Sequence, residues 1–311
     1  MVLTVTPNPC VDKTVFINRL EAGTFMRSQR YTCIAGGKGT NVSRALTAMG
    51  YPTKAMAVVG GHTGAHVIDM IEKHDRMPCV PAWVDSPTRT ITTILEEPIH
   101  RQTAFFEPGS QVTEGELTHI VQVFREAVAG ATWVTFNGTV SDKSIRTLYK
   151  TLIPIAHEAG AKTILDSHGP ELKHGLEAAP FMVKPNVAEA EELLGRSLDS
   201  HEARMHALDA FHEQGVALVA LSLGPDGVLA SYEGKRVHGK PPAIQEINPV
   251  GSGDCLVAGF CIGLMNDWPL EETVRLACAM GTANAMSWDI GHFDPHTIQA
   301  LREQVSVVPL G

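Results

Sequence analysis

The chain is short of positive charge. Its 311 residues carry 25 Lys and Arg against 34 Asp and Glu, a formal net charge of −9. That balance excludes sequence-independent binding to nucleic acid, because a phosphate backbone needs a basic field. An anionic substrate would need a few cations placed inside a site, since the surface as a whole does not attract it. Long hydrophobic runs are missing as well. The longest, Cys255 to Met265, falls well short of the roughly 18 residues of a membrane-spanning helix. No CxxC occurs, and Cys10, Cys33, Cys79, Cys255, Cys261 and Cys278 are scattered or lie in apolar stretches. They read as reduced core residues of a cytoplasmic protein. The opening MVLTVTPNPCVD has no basic stretch followed by an apolar one, so no signal peptide is expected. What is abundant is apolar and small: 44% hydrophobic residues and 28 glycines, against 19% charged. A chain of this length and composition buries a full core without disulfides or a metal, which excludes disordered and fibrous classes.

Short β-branched runs alternate with longer helical periods. VLTVT (2–6), AMAVVG (55–60), ATWVTF (131–136), KTIL (162–165), PFMVK (180–184) and ALVALSL (217–223) read as buried strands. Helical periods fill Asn41–Met49, Gly64–His74, Glu114–Ala129, Asp142–Ala159, Ala188–Leu194 and Ala203–Gln214, several closed by Gly50, Gly130, Gly160, Gly195 or Gly215. This alternation predicts a mostly parallel sheet covered on both faces. Beyond Gly251 the pattern is helical through about Gly253–Met265, Leu270–Ser287 and Pro295–Gln304, with VSVVPL as a closing edge strand. Two Thr-, Ile- and Phe-rich segments, 13–34 and 89–106, break the rhythm and look like hairpins. Each follows a strand end. A small sheet folded over the carboxyl edge of the main sheet, where open α/β sheets bind ligands, accounts for both; plain surface hairpins are the alternative.

The strongest local signal is Asn248-Pro249-Val250-Gly251-Ser252-Gly253-Asp254 ahead of the apolar run CLVAGFCIGL. Glycines let a backbone approach a ligand closely, and the helix that follows offers unpaired N–H groups and a positive dipole end to an anion. Asp254 falls in its first turn, either complementing the dipole or acting as a general base beside a phosphate in transfer. The second signal, Ala35-Gly36-Gly37-Lys38-Gly39-Thr40-Asn41, opens another helix. It is no P-loop, because Gly39 stands where a Ser or Thr would meet magnesium. Three look-alikes fail. Leu256 breaks a GxGxxG reading, Pro241 spoils GxxxxGK at Gly234–Lys240, and His201 and His206 are spaced wrongly for zinc. Two glycine-rich helix starts suggest two anions held face to face.

GGKGTN (36–41) and NPVGSGD (248–254) resemble the two signatures of the PfkB-type, ribokinase-like sugar kinases. TPNPCVD (6–12), TRT (88–90), EPG (107–109), KPNVAE (184–189) and SLGPDG (222–227) extend the resemblance over nearly the whole chain, toward the 1-phosphofructokinase and tagatose-6-phosphate kinase branch. The resemblance implies a three-layer α/β/α fold, mostly parallel in its central sheet, forming one kinase domain over 1–311 with lid segments near 11–35 and 87–108. It implies ATP as donor, Mg2+ as cofactor and a small sugar phosphate as acceptor. Asp254 matches the family's catalytic base, and Gly251, Ser252 and Gly253 match its anion hole. Asp12, Gly37, Lys38 and Asn41 match sugar-binding positions, and Lys38 and Arg89, with Arg27 as a further candidate, would grip a phosphate on the sugar. Asn186 and Glu189 match the pair that places magnesium indirectly on the nucleotide phosphates. Ser222, Gly224 and Gly227 match the nucleotide loop, and Asn284 a position near the adenine.

Three departures bear on the acceptor. Ile91 stands where the branch usually has asparagine, Phe106 precedes EPG, and Asn137-Gly138-Thr139-Val140-Ser141 replaces the usual Ser-Gly-Ser-Leu-Pro. The resemblance implies phosphorylation of a phosphorylated ketohexose, fructose 1-phosphate first and tagatose 6-phosphate second, with the departures bearing on which acceptor is used. The alternatives are a kinase for an unphosphorylated sugar or nucleoside, a non-catalytic sensor, and an NAD-dependent oxidoreductase, which lacks its glycine fingerprint. The exposed hairpin edges make a homodimer through the lid a further expectation.

Overall fold

The computed structural model describes residues 1–28 and 30–310. In chain order, the first half runs β1 (Val2–Thr6), β2 (Cys10–Ile17), β3 (Arg30–Gly36), α1 (Lys38–Ala48), β4 (Thr53–Gly60), α2 (Gly61–Asp69), β5 (Cys79–Val84), β6 (Thr90–Glu96), β7 (Arg101–Phe106) and α3 (Glu114–Ala127). Next come β8 (Trp133–Asn137), α4 (Leu148–Glu158), β9 (Lys162–Asp166), α5 (Gly169–Leu176), β10 (Met182–Val183), α6 (Val187–Leu194) and α7 (His201–His212). The chain ends with β11 (Leu218–Ser222), β12 (Val228–Tyr232), β13 (Lys235–Lys240), α8 (Ser252–Met265), α9 (Leu270–Ala285), α10 (Pro295–Gln304) and β14 (Ser306–Leu310).

Ten strands form one sheet in the order β14-β13-β12-β11-β10-β9-β8-β1-β4-β5. The seven from β11 to β5 are parallel, and β12, β13 and β14 close the other edge antiparallel. Side chains alternate between two buried faces, as period-2 geometry requires. Leu3, Val5, Val134, Phe136, Leu165, Val183 and Val219 pack with Phe124, Leu152 and Phe211 of α3, α4 and α7. Val2, Trp133, Ile164, Met182, Leu218 and Ala220 pack with Val42, Phe260 and Met280 of α1, α8 and α9. Three layers result, as expected.

The two hairpin segments pair with each other in a second sheet, β3-β2-β6-β7, with β2 and β6 parallel at its centre. β2 starts just past the carboxyl end of β1, and β6 just past that of β5, so this sheet is rooted on the carboxyl edge of the large one. Val67 and Met70 fill the space between Ala55, Ala57 and Val59 of β4 and Val11 and Ala35 of the small sheet.

The structure corrects the expected boundaries in three places. The helix expected from Asp142 starts only at Leu148, because the Asp142 carboxylate accepts from the Ser144 and Val112 N–H groups and holds a capped turn instead. PFMVK shrinks to a two-residue strand, since Pro180 has no N–H and the chain leaves the sheet at Lys184 to enter α6. α5 was not foreseen, its apolar signal being short and interrupted by Gly169, Pro170 and Gly175. The five glycines read as helix stops all take positive φ. Among the described residues no helix is long and apolar enough to cross a membrane.

Candidate active site

A cleft of about 1310 Å3 lies between the carboxyl ends of the parallel strands, the amino ends of α1 and α8, and the small sheet. Its floor follows from strand register. Phe136 pairs with Val5 and Leu165, and Leu165 with Val183. The next residues along each strand, Thr6, Asn137, Asp166 and Lys184, therefore stand in a row on the α1/α8 face.

Two helix starts face this row. α8 is capped by Gly251, at φ +83, where a Cβ would also run into Ile290 Cγ2; only glycine makes that turn without strain. The Ser252 N–H turns back to the Pro249 carbonyl. Among the described residues, the Gly251, Gly253 and Asp254 N–H groups bond to no protein acceptor. The amides left open in the nest at this helix start are those of Gly251, Gly253 and Asp254, while the Ser252 N–H, also expected in the anion hole, is turned back into the loop. The Asp254 side chain, 4% exposed, accepts from Asn41 Nδ2 at 2.8 Å. Burial pushes its carboxyl up to about 6. Asp166 adds to the rise, while Lys38, the Asn41 hydrogen bond and Lys184 oppose it.

Asp166 is fully buried, with Lys184 Nζ at 3.2 Å and Lys38 Nζ at 3.5 Å from its Oδ1. Burial alone would raise its carboxyl, but the two ammonium groups hold it below the usual range. Asp166 in turn raises the Lys38 ammonium, against burial and with help from Asp254 and Glu189. Two lysines thus serve the Asp166 carboxylate of the floor and also bear on Asp254 at the amide nest.

The sequence reading of the site meets the structure residue by residue. Asp12, Gly37, Lys38, Asn41, Arg89, Asn186, Glu189, Ser222, Gly224, Gly227, Gly251, Ser252, Gly253 and Asp254 all line this one cleft. So do Ile91, Phe106, Asn137, Gly138 and Thr139, the departures from the family pattern, and Ile91 and Phe106 are cross-strand partners. Arg27 does not line it, lying exposed between β2 and β3. Asn284 is buried beneath the α8 loop, donating to the Val250 carbonyl and Ser252 Oγ and accepting from the Gly291 N–H. Its amide is spent on holding the loop, so it is a loop brace and not a wall of the cleft. Sequence reasoning missed Asp166 and Lys184. The available signal was a charged residue closing a buried parallel strand at its carboxyl end.

Asn186 and Glu189 form a capping box on α6: the Asn186 side chain accepts from the Glu189 N–H, and the Glu189 carboxylate from the Asn186 N–H. Among the described residues no three His, Cys, Asp or Glu side chains converge to cage a metal. That donor set suits a magnesium ion that keeps its waters and bonds mainly to nucleotide phosphates, with Glu189 as a nearby carboxylate. Arg89 gives one Nη2 hydrogen bond to the Asn8 carbonyl at 3.3 Å, and its buried Nε has no partner among the described residues.

An α/β fold with an amide nest, a buried carboxylate and lysines at the carboxyl edge of its parallel strands defines a phosphoryl-transfer enzyme. Residues 5–287 match the family model described as pfkB family carbohydrate kinase, and the chain belongs to that family. Kinases of this family use ATP as phosphoryl donor, generally with a divalent metal. The chain is similar to a candidate phosphofructokinase from Staphylococcus aureus, with 27% identity, TM-score 0.84, and 100% of this chain and 99% of that one covered. The tetrameric inhibited form of Escherichia coli phosphofructokinase-2 matches at 25% identity and TM-score 0.90, over 97% of this chain and 98% of that one. A candidate 1-phosphofructokinase from Thermotoga maritima, at 22% identity and TM-score 0.90 over 100% and 99%, shares the fold.

Proposed function

We propose that the chain transfers the terminal phosphoryl group of ATP to a hydroxyl of a phosphorylated ketohexose, converting fructose 1-phosphate to fructose 1,6-bisphosphate or tagatose 6-phosphate to tagatose 1,6-bisphosphate. The observation that carries this reading is a buried carboxylate, Asp254, beside an open amide nest, in one cleft with the unpaired Arg89 Nε.

The acceptor hydroxyl gives its proton to Asp254 as its oxygen bonds to phosphorus, while the bond from phosphorus to the bridging oxygen breaks and ADP departs. A carboxyl titrating near 6 is ionised at neutral pH yet basic enough to take that proton. The Gly251, Gly253 and Asp254 amides, with Lys38 and Lys184, offset charge on the phosphoryl group in transfer. Magnesium, held by the phosphates near Glu189 and Asn186, would neutralise the nucleotide's charge. Ser222, Gly224 and Gly227 bed the nucleotide. Asp12 and Asn41 orient the sugar, and the Arg89 fork binds its phosphate. The small sheet acts as a lid that excludes water, and its exposed Phe25, Tyr31 and Phe105 suit a lid-to-lid homodimer. A cytoplasmic setting accords with six free cysteines.

A second reading, an unphosphorylated sugar or nucleoside as acceptor, is favoured by the apolar Ile91–Phe106 pair on the lid. A coupled ADP-release assay decides between them. The panel holds fructose 1-phosphate, tagatose 6-phosphate, fructose 6-phosphate (which accompanies the E. coli phosphofructokinase-2 in one of its structures), ribose and nucleosides. Turnover with a ketohexose phosphate supports the first reading; turnover with ribose or a nucleoside alone overturns it.

A further inference from the structure

Arg44, one turn along α1 from Asn41, is 2% exposed and uses every donor it has. Its Nε and one Nη2 hydrogen bond hold the Asp75 carboxylate at 2.9 and 2.7 Å. A second Nη2 bond reaches the Ala35 carbonyl at 2.9 Å, where β3 leaves the small sheet. Nη1 donates to Asn41 Oδ1 at 2.9 Å and to the Ile290 carbonyl at 3.5 Å. Five N–H groups meet five acceptors. Asp75 is delivered by a π-helical turn, Met70–His74, closed by its own N–H on the Met70 carbonyl at 3.0 Å. Such wide turns are rare and often mark functional positions.

A guanidinium has donors only. Asn41 must therefore present Oδ1 to Arg44, and its Nδ2 is left to face Asp254. The reverse amide orientation would set Oδ1 against the acceptor-only Asp254 carboxylate and Nδ2 against the donor-only Arg44 guanidinium. Asn41 Nδ2 makes the one hydrogen bond on the Asp254 carboxylate among the described residues, leaving Oδ1 for the acceptor hydroxyl.

We infer that Arg44, anchored by Asp75, is a positioning residue for phosphoryl transfer: it fixes the Asn41 amide so that its N–H orients and sustains the ionised Asp254, and it ties that geometry to the root of the small sheet through Ala35. The inference rests on Asp254 being the base. Groups facing Asp254 are Lys38 and Asn41 from α1, Asp166 from β9 and Lys184 beyond β10. Those facing Arg44 are Asp75, Asp12 from β2 and Cys255 from α8, with His292 lying 3.5 Å from Asp75.

The test measures kcat against pH, and KM for ATP, on the full chain with its best sugar phosphate. Three variants are compared with the wild type: Asn41→Leu, Arg44→Met combined with Asp75→Leu, and Arg44→Lys. The paired change removes the buried ions as a unit, and Arg44→Lys keeps a charge for Asp75 should the paired variant fail to fold. Losing one hydrogen bond to a charged group should move the acid limb of kcat up by about one pH unit. Misplacing the base should lower kcat by about 10- to 100-fold while KM for ATP holds. Joining Asn41→Leu to an Arg44 change should add no further displacement, because the two act through one contact. An acid limb left in place in folded Arg44 variants overturns the inference, as does full additivity with Asn41→Leu. Should Asp254→Asn retain turnover, the base assignment itself falls; if Asp254→Asn is inactive while the Arg44 variants keep the wild-type limb, only the role of Arg44 falls.

Discussion

Lys38 Nζ stands 3.5 Å from Asp166 Oδ1, bridging the first turn of α1 and the carboxyl end of β9. The two residues are 128 positions apart, and neither is charged to local advantage. Asp166 is fully buried in a floor that would reject a lone carboxylate, and Lys38 is the second of its two counter-ions, after Lys184. The lysine expected to hold a sugar phosphate thus reaches the sheet floor while still lining the cleft, and Arg89 keeps a buried Nε with no partner among the described residues.

Asp166→Asn should therefore act in two ways. It leaves Lys184 buried beside a neutral amide, and breaking a buried pair typically costs about 3–5 kcal/mol; denaturant unfolding measures that. It also removes a negative charge that raises Asp254. The acid limb of the rate profile should shift to lower pH, the direction opposite to that expected for Arg44 variants. A shift upward would contradict the charge arrangement described here.

Asp254→Asn should lower turnover by about 10²–10⁴-fold, the usual contribution of a positioned base, while calorimetric ATP binding persists. In the wild type, a carboxyl raised to about 6 must be ionised to accept a proton. The rate should accordingly be full at neutral pH and fall as pH drops through about 6, with no such limb left in the residual activity of Asp254→Asn.

How far the site could be read from residues alone depends on where each one gets its meaning. Lys38 and Asp254 were legible because glycines and an apolar helix announce them locally, in stretches of a few residues. The hairpins were legible from their Thr, Ile and Phe content, which broke the strand–helix rhythm. Asp166 and Lys184 were not, since each merely ends a strand; their partnership arises from β9 and β10 lying side by side in parallel register, a fact of topology. Asn284 was expected near the adenine only through the family resemblance, with no local signal of its own; in the structure its amide braces Val250, Ser252 and Gly291.

Gly251→Ala tests the nest. A Cβ at φ +83 is strained and would also run into Ile290 Cγ2, so the α8 start must shift. The backbone strain typically costs about 1–3 kcal/mol, readable as a lowered Tm. Turnover should fall by about 10²–10³-fold if preorganised donors are lost. An active, fully stable Gly251→Ala would show that the turn tolerates movement and that its amides are not held for the phosphoryl group.

Arg89→Lys separates the acceptor from the chemistry. Arg89 roots β6 beside the cleft and keeps its Nε unpaired, and lysine offers one ammonium where arginine offers a planar fork for two phosphate oxygens. A charge-assisted hydrogen bond is worth about 1.5–3 kcal/mol, so KM for the sugar phosphate should rise by about 10- to 100-fold. kcat at saturation and KM for ATP should move little, because neither the base nor the amide nest is touched. Any unphosphorylated sugar accepted by the wild type should be handled equally by the variant, since it has no phosphate for the fork to hold. Equal losses for phosphorylated and unphosphorylated acceptors would mean that Arg89 shapes the cleft through its bond to the Asn8 carbonyl and does not read the phosphate.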